Sequence, residues 1–254
     1  VGAAASKDDP RKVLQGVLFI GSDTSPDLTA VAIDGYRLAV ESFGLPYEAS
    51  DSDYERLVPN VAIERTIKLV KSVGKKSMPG TSVRIEFGET QVRFYVLANT
   101  GCVGFVQTRH IEGVYPNWDR VIPSTHTRTM TFDRDAMLTA LKVLAPIAAD
   151  NGNKVGLYAT GGSIRMMAKS QVAGLAKQVV TELSGTDDGL PIGINQRYFK
   201  QMLEGMPTGV VQVEYKEQDN PFVFKMDGLP GYMHLIMPMG MGDWDAYLQD
   251  DEGW

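Results

Sequence analysis

The side chains of this 254-residue chain that could make or break bonds are His110, His126, His234, Cys102 and acidic pairs such as Asp187-Asp188. A nucleophilic serine would need a G-x-S-x-G elbow, a catalytic zinc an HExxH helix, and a nucleotide phosphate a G-x-x-x-x-G-K-[ST] loop. None of these occurs, and Gly74-Lys75-Lys76-Ser77 lacks the preceding glycine at the right distance. The three histidines are scattered through a β-rich pattern, where such residues usually serve as hydrogen-bonded structural groups. Cys102, between Gly101 and Val103, reads as a buried strand residue. One cysteine excludes an intramolecular disulfide and, with so few histidines, the common structural zinc patterns. The chain is not expected to be an enzyme, and neither metal nor cofactor is expected.

A second set of residues has a different chemistry. Net charge is −6, yet the signs are segregated. Val61 to Lys76 holds five basic residues against one acid, whereas EASDSDYE and the tail GDWDAYLQDDEGW carry only acids. At 100° per residue a first helix turns Ile63, Ile67, Val70 and Val73 inward, and Arg65, Lys68, Lys71 and Lys75 outward. A second, Asp133 to Leu144, turns Met137, Leu138, Leu141 and Leu144 inward and Arg134 and Lys142 outward. A third begins at the N-cap Asn195, with Tyr198, Phe199, Met202 and Met206 inward and Arg197 and Lys200 outward. Repeated cationic faces without interleaved aromatics suit the phosphates of duplex DNA, independent of base sequence, better than stacked single strands.

The elements that must position these helices are strands. Period-2 alternation runs through Lys12 to Phe19, Leu28 to Ile33, SVRIEFGETQVRFYV, KVGLYATGGSIRMMA and VVQVEYKEQDNPFVFKM. Asp34-Gly35 marks a tight turn between apolar segments, followed at once by Tyr36 and Arg37. LVPNVAIERTIKLVKS…SVRIEFGETQVRFYV parallels GLPIGINQRYFKQMLEGM…GVVQVEYKEQDNPFVFKM, and TMTFDRDAMLTALKVL repeats the strand–helix start. The expected fold is α+β: repeated antiparallel sheets with short helices on one face. A boundary is expected near Pro123-Ser124-Thr125-His126, dividing 1–124 from 125–240, with an acidic extension over 241–254. No apolar run has membrane-spanning length and no signal peptide is evident, so the expectation is a cytoplasmic protein. The alanine-rich VGAAASKDD reads as the end of a helix, which implies further residues upstream.

Four stretches in order, LQGVLF, AVAIDGYRLAV, IEGVYPNWDRVIP and LIMPM, closely resemble the second and third domains of the bacterial DNA polymerase III sliding clamp, the β subunit. The resemblance runs from about Arg11 to Met239. It implies a DNA-clamp fold, sheets outside and short helices lining the DNA-facing side of a closed ring, which acts as a processivity factor. Implied partners are duplex DNA, the DNA polymerase catalytic subunit, the clamp loader, other clamp-binding-motif proteins, and the chain itself. Six domains close such a ring, as a dimer of three-domain chains or a trimer of two-domain chains. The corresponding location is the nucleoid of a bacterium, or a phage-infected cell. The competing reading is a clamp-like module that binds clamp partners without encircling DNA.

The resemblance also implies a pocket for partner peptides. By position its wall would be Leu14, Ile33, Gly35, Tyr36, Arg37 and Leu38, its floor Pro116, Arg120 and Val121, and its C-terminal side Leu235, Ile236, Met237, Pro238 and Met239. Methionine suits a site that adapts to several peptides. The family turn usually reads Thr-Asp-Gly-His-Arg, so Ile33 and Tyr36 imply a different peptide preference. The family's aromatic pair before LxG is here Lys12-Val13, which leaves Arg11 and Lys12 to meet DNA as charges. The tail beyond Met-Pro-Met is read as a disordered extension; it could instead fold back into the pocket through Trp244, Tyr247 or Leu248, or bind another protein.

Overall fold

A computed structural model describes residues 1–23, 27–44, 54–74, 81–186, 189–250 and 254. The chain forms two compact units, Val1–Asp34 with Ala39–Asn117, and Gly35–Leu38 with Trp118–Trp254. The division falls at Asn117/Trp118, ahead of the Pro123–His126 break.

In the first unit, β1 (Gly16–Gly21), β2 (Asp27–Ile33), β3 (Arg37–Gly44) and β4 (Tyr54–Pro59) lie in the order β3-β2-β1-β4. Leu18 of β1 stands opposite Val31 on one side and Leu57 on the other. After α1 (Asn60–Gly74), a separate antiparallel sheet is built from β5 (Ser82–Phe87), β6 (Gln91–Ala98) and β7 (Gly101–Arg109). Alternating residues of both sheets, among them Val17, Phe19, Ala32, Val58, Val92 and Phe94, make the core.

The second unit runs β8 (Arg128–Asp133), α2 (Arg134–Ala149), β9 (Lys154–Thr160), β10 (Ser163–Ser170) and β11 (Gly174–Gly185). It then repeats that order with β12 (Ile192–Asn195), α3 (Gln196–Gly205), β13 (Val210–Tyr215), β14 (Phe222–Met226) and β15 (Tyr232–Ile236). A short α4 (Trp244–Gln249) follows. The strands lie antiparallel as β12-β9-β10-β11-β8-β13-β14-β15. β11 pairs with β10 up to Thr181 and then, through a register shift at Glu182/Ser184, with β8. The internal repeat expected from sequence is therefore present, with β4-α1-β5-β6-β7 as its copy in the first unit.

Capping explains where the helices of the second unit start. Asp133 Oδ1 accepts from the Asp135 and Ala136 amides at 3.0 and 2.8 Å, and Asn195 Oδ1 from the Arg197 and Tyr198 amides at 3.0 and 3.4 Å. Met137, Leu138, Leu141 and Leu144 are buried as expected. Phe199 seats α3 on the sheet, edge-on to Phe132 at 6.0 Å and tilted against Phe224 at 5.3 Å.

Four local expectations need correction. Lys12–Gln15 is a single 3-10 turn, and strand begins only at Gly16. The second helix continues past Leu144 to Ala149, accommodating Pro146 near its end, because Ala148 extends its buried stripe. On α1 the buried stripe is Ala62, Thr66 and Val73, while Ile67 is 46% exposed. Small residues let this helix lie close to its sheet, and Thr66 satisfies its hydroxyl by donating to the Ala62 carbonyl at 2.9 Å. Cys102 is exposed, near the start of β7, where nothing among the described residues covers its side chain.

Candidate functional site

The residues singled out by the resemblance divide between the units. Leu14, Ile33 and Pro116 belong to the first; Gly35, Tyr36, Arg37, Leu38, Arg120, Val121 and Leu235 to Met239 belong to the second. In the first unit Leu14 is buried in the 3-10 turn, and Ile33 and Pro116 are half-buried. Tyr115, beside Pro116, points its phenol at the Val31 carbonyl at 3.5 Å, and burial pushes its pKa well above the usual tyrosine range.

Within the second unit the turn residues meet the C-terminal strand and α3. Gly35 has φ 87°, the left-handed conformation that glycine adopts without penalty. That turn leaves Tyr36 64% exposed and sends Arg37 inward, where it is 7% exposed. The Tyr36 carbonyl accepts from the Met237 amide at 2.8 Å, so the turn is bonded to the segment that carries Met-Pro-Met. The Tyr36 ring stacks with Tyr198 of α3 at 6.3 Å between centroids. The Arg37 guanidinium lies 4.3 Å over the same Tyr198 ring and donates to Gln201 Oε1 at 2.7 Å.

The surface built this way has an aromatic wall, a held guanidinium and a methionine. Leu38, Leu235 and Ile236 are fully buried, and Ile236 is part of the main core, so these three support the surface from beneath. Met237 is 38% and Val121 40% exposed, Pro238 and Met239 are half-buried, and Arg120 is exposed. Sequence reasoning misses Tyr198 and Gln201 at this site. Helical periodicity places Tyr198 simply among the inward residues, although its position one turn after the N-cap puts it at the helix end, where a side chain can face a neighbouring loop. No motif marks Gln201.

His234, two residues after Tyr232 on β15, is 2% exposed. Its Nδ1 stands 3.4 Å from the Tyr232 hydroxyl, while Nε2 is buried without a hydrogen-bond partner among the described residues. Burial, with the charge of Arg37 among the lesser causes, holds its pKa well below the usual histidine value.

The cations expected on the outer helix faces are not equivalent. Arg65, Lys68 and Lys71 on α1, Lys142 on α2, Arg197 on α3 and Lys12 are exposed. Arg134 is committed to the fold: its Nε donates to the Leu203 carbonyl at 2.7 Å and its guanidinium pairs with Asp135 at 2.5 Å. Arg11 pairs with Asp9 at 2.9 Å, and Lys200 faces Glu204 at 3.8 Å. Lys75 and the Asp187-Asp188 pair lie outside the described residues. Among the described residues there is no cluster of histidine, cysteine and carboxylate groups that could hold a metal ion, and no helix is long and apolar enough to cross a membrane.

Comparison with known proteins gives this arrangement a family. Residues 1–117 match the model of the DNA polymerase III beta subunit central domain, and residues 119–240 that of its C-terminal domain. The chain belongs to the DNA polymerase III beta subunit family. The beta sliding clamp of Synechocystis sp. is 27% identical over 249 residues, covering 93% of this chain and 60% of the relative. That of Caulobacter vibrioides is 26% identical over 240 residues, with the same two shares. Among solved structures, the DNA polymerase III beta chain of Streptococcus pneumoniae superposes with TM-score 0.78 at 24% identity, and the sliding clamp of Bacillus subtilis with 0.79 at 21%, each covering 94% of this chain and 60% of the other. The chain thus spans about three-fifths of the length of these beta subunits, and the matched family region ends at Gly240, just before the acidic tail.

Proposed function

We propose that this chain acts as part of a sliding clamp, a processivity factor that encircles duplex DNA and tethers a replicative polymerase and other partners through a peptide-binding pocket. The observation that carries the reading is the match of both units to consecutive beta subunit domains, together with the joined Tyr36, Arg37, Tyr198 and Met237 surface in the segments where that family resemblance places its partner site. Such a protein needs no bond chemistry. Topological tethering turns re-encounter of polymerase and DNA into an intramolecular event at high effective concentration.

In this reading Tyr36, Val121, Met237 and Met239 meet the partner peptide, with Gly35 shaping the turn, Arg37 positioning it from within against Tyr198 and Gln201, and Leu38, Leu235 and Ile236 supporting it. Leu14, Ile33, Pro116, Arg120 and Pro238 complete the proposed set. Arg65, Lys68, Lys71, Lys142 and Arg197 supply a diffuse field for phosphates rather than fixed contacts, which suits a protein that slides. Self-association into a ring, clamp loading, and a place on the nucleoid belong to the same proposal. A fluorescence-anisotropy titration with a labelled glutamine-leucine-phenylalanine type peptide tests it. Saturable micromolar binding, lost in a Tyr36→Ala/Met237→Ala double variant that keeps its thermal transition, is the expected result. Absence of binding by the unaltered chain would overturn the pocket.

A further inference from the structure

The acidic tail has no counterpart in the matched family region, which ends at residue 240, yet it is docked. Trp244 and Leu248 are 3% and 0% exposed and, with Met241 and Met167, form a small apolar cluster of their own, with Tyr158 and Trp254 packed against it. They lie on β9 and β10, so neither the disordered extension nor insertion into the partner pocket describes this segment. The strand surface is shaped for it. A Cβ added at Gly156 would meet Leu248 Cδ1 at 2.8 Å, and one at Gly193 would meet the Met239 carbonyl oxygen at 2.3 Å.

Cations of the same sheet complete the seat. Lys154 Nζ sits 4.0 Å over the Trp244 ring and donates to the Gly240 and Met241 carbonyls at 3.0 and 3.3 Å. Lys169 pairs with Asp243 at 2.9 Å and lies 4.5 Å over Tyr247. Arg165 donates to the Leu248 carbonyl at 3.2 Å, and Lys177 lies 4.5 Å over Trp254. A basic strand surface, opened at Gly156, thus meets an acidic, aromatic segment through cation–ring contacts, bonds to its carbonyls and the Lys169–Asp243 ion pair.

We propose that the β9–β10 face is a binding groove for the chain's own C-terminal segment, Met241 to Asp250, and that its occupancy fastens the Met237–Met239 wall of the partner pocket. The consequence for the pocket rests on the function proposed above; the groove does not. The Met237 amide is bonded to the Tyr36 carbonyl at one end of this wall, and the Met239 amide to the Gly193 carbonyl at the other, at 2.8 Å each. The strap begins immediately after, at the carbonyls that Lys154 holds. With it docked, the wall is pinned at both ends; with it released, the chain is free to peel from Gly193.

The experiment measures amide hydrogen exchange of residues 235–239 in the full chain, in a chain ending at Gly240, and in full-length Trp244→Asp. Expected is exchange at least tenfold faster in both variants, with β13 unchanged, and restoration in the shortened chain by a synthetic peptide of residues 241–254 that itself binds saturably. Partner-peptide affinity should fall several-fold with release and recover with the added tail peptide. Unchanged exchange at 235–239 in both variants overturns the strap, as does failure of the tail peptide to bind the shortened chain. Faster exchange with unaltered partner affinity overturns the coupling to the pocket. If the full chain binds no partner peptide, the pocket reading fails, and the exchange arm decides the groove and strap by itself.

Discussion

The Arg37 guanidinium rests 4.3 Å over the ring of Tyr198, although 161 positions separate the two residues in a chain that folds each onto the same unit. Arg37 is thereby taken from the surface and held as a fixed donor to Gln201, while Tyr36, its neighbour, is left stacked and exposed.

Arg37→Ala removes both the ring contact and the bond to Gln201, and lets Tyr36 and Tyr198 relax. A desolvated cation–π contact is worth about 1–2 kcal/mol, and because this one lies within the protein its loss falls on the stability of the second unit; partner-peptide affinity should fall several-fold because Tyr36 is no longer held against a fixed Tyr198. Arg37→Lys should restore little, because an ammonium cannot both lie flat on the ring and keep the planar fork toward Gln201. Anisotropy titrations of the three proteins check this.

Lys68→Glu/Lys71→Glu should weaken duplex DNA binding regardless of base sequence. These lysines are exposed on α1, so the fold should be unaffected. The slope of log affinity against log salt should become shallower by about one unit for each phosphate that the variant no longer neutralises. Binding measured over a salt series with two unrelated duplexes reads both effects.

His234 is buried neutral, with a folded pKa below the unfolded value of about 6.5. Below about pH 6.5 the unfolded chain therefore binds the extra proton, and stability falls as pH falls through this range. A His234→Phe variant should lose that part of the slope. Thermal melts at pH 7.5 and pH 5.5 should show a smaller difference for the variant than for the unaltered chain.

Phe199→Ala empties the space between Phe132 and Phe224 and should cost about 3–5 kcal/mol of unfolding free energy in the second unit. Asn195→Ala, which removes the cap of the same helix, should cost only about 1 kcal/mol. Chemical denaturation of both variants separates the two magnitudes.

Periodicity in the sequence determined the repeated strand–helix–strand–strand–strand units, the stripe Met137, Leu138, Leu141 and Leu144, and the caps at Asp133 and Asn195, because each depends on neighbours within a few residues. The DGYR turn was legible for the same reason: Gly35 supplies a backbone conformation that is a local property. Tertiary structure decided the rest. Which side of α1 is buried depended on how closely its sheet approaches, and so Ala62 and Thr66 are inside while Ile67 is out. Whether Cys102 is covered depended on what the fold packs against the start of β7. Arg134 looked like a free cation until the fold brought the Leu203 carbonyl to it. The tail is acidic and its apolar residues have too short a segment to bury them against itself, so it offered no local reason to fold; its order comes from seating Trp244 and Leu248 against Met167, Gly156, Lys154 and Lys169, whose arrangement exists only once β9 and β10 are paired. Short-range patterns specify elements, whereas burial, pairing and charge partnership are properties of surfaces that the chain assembles from distant segments.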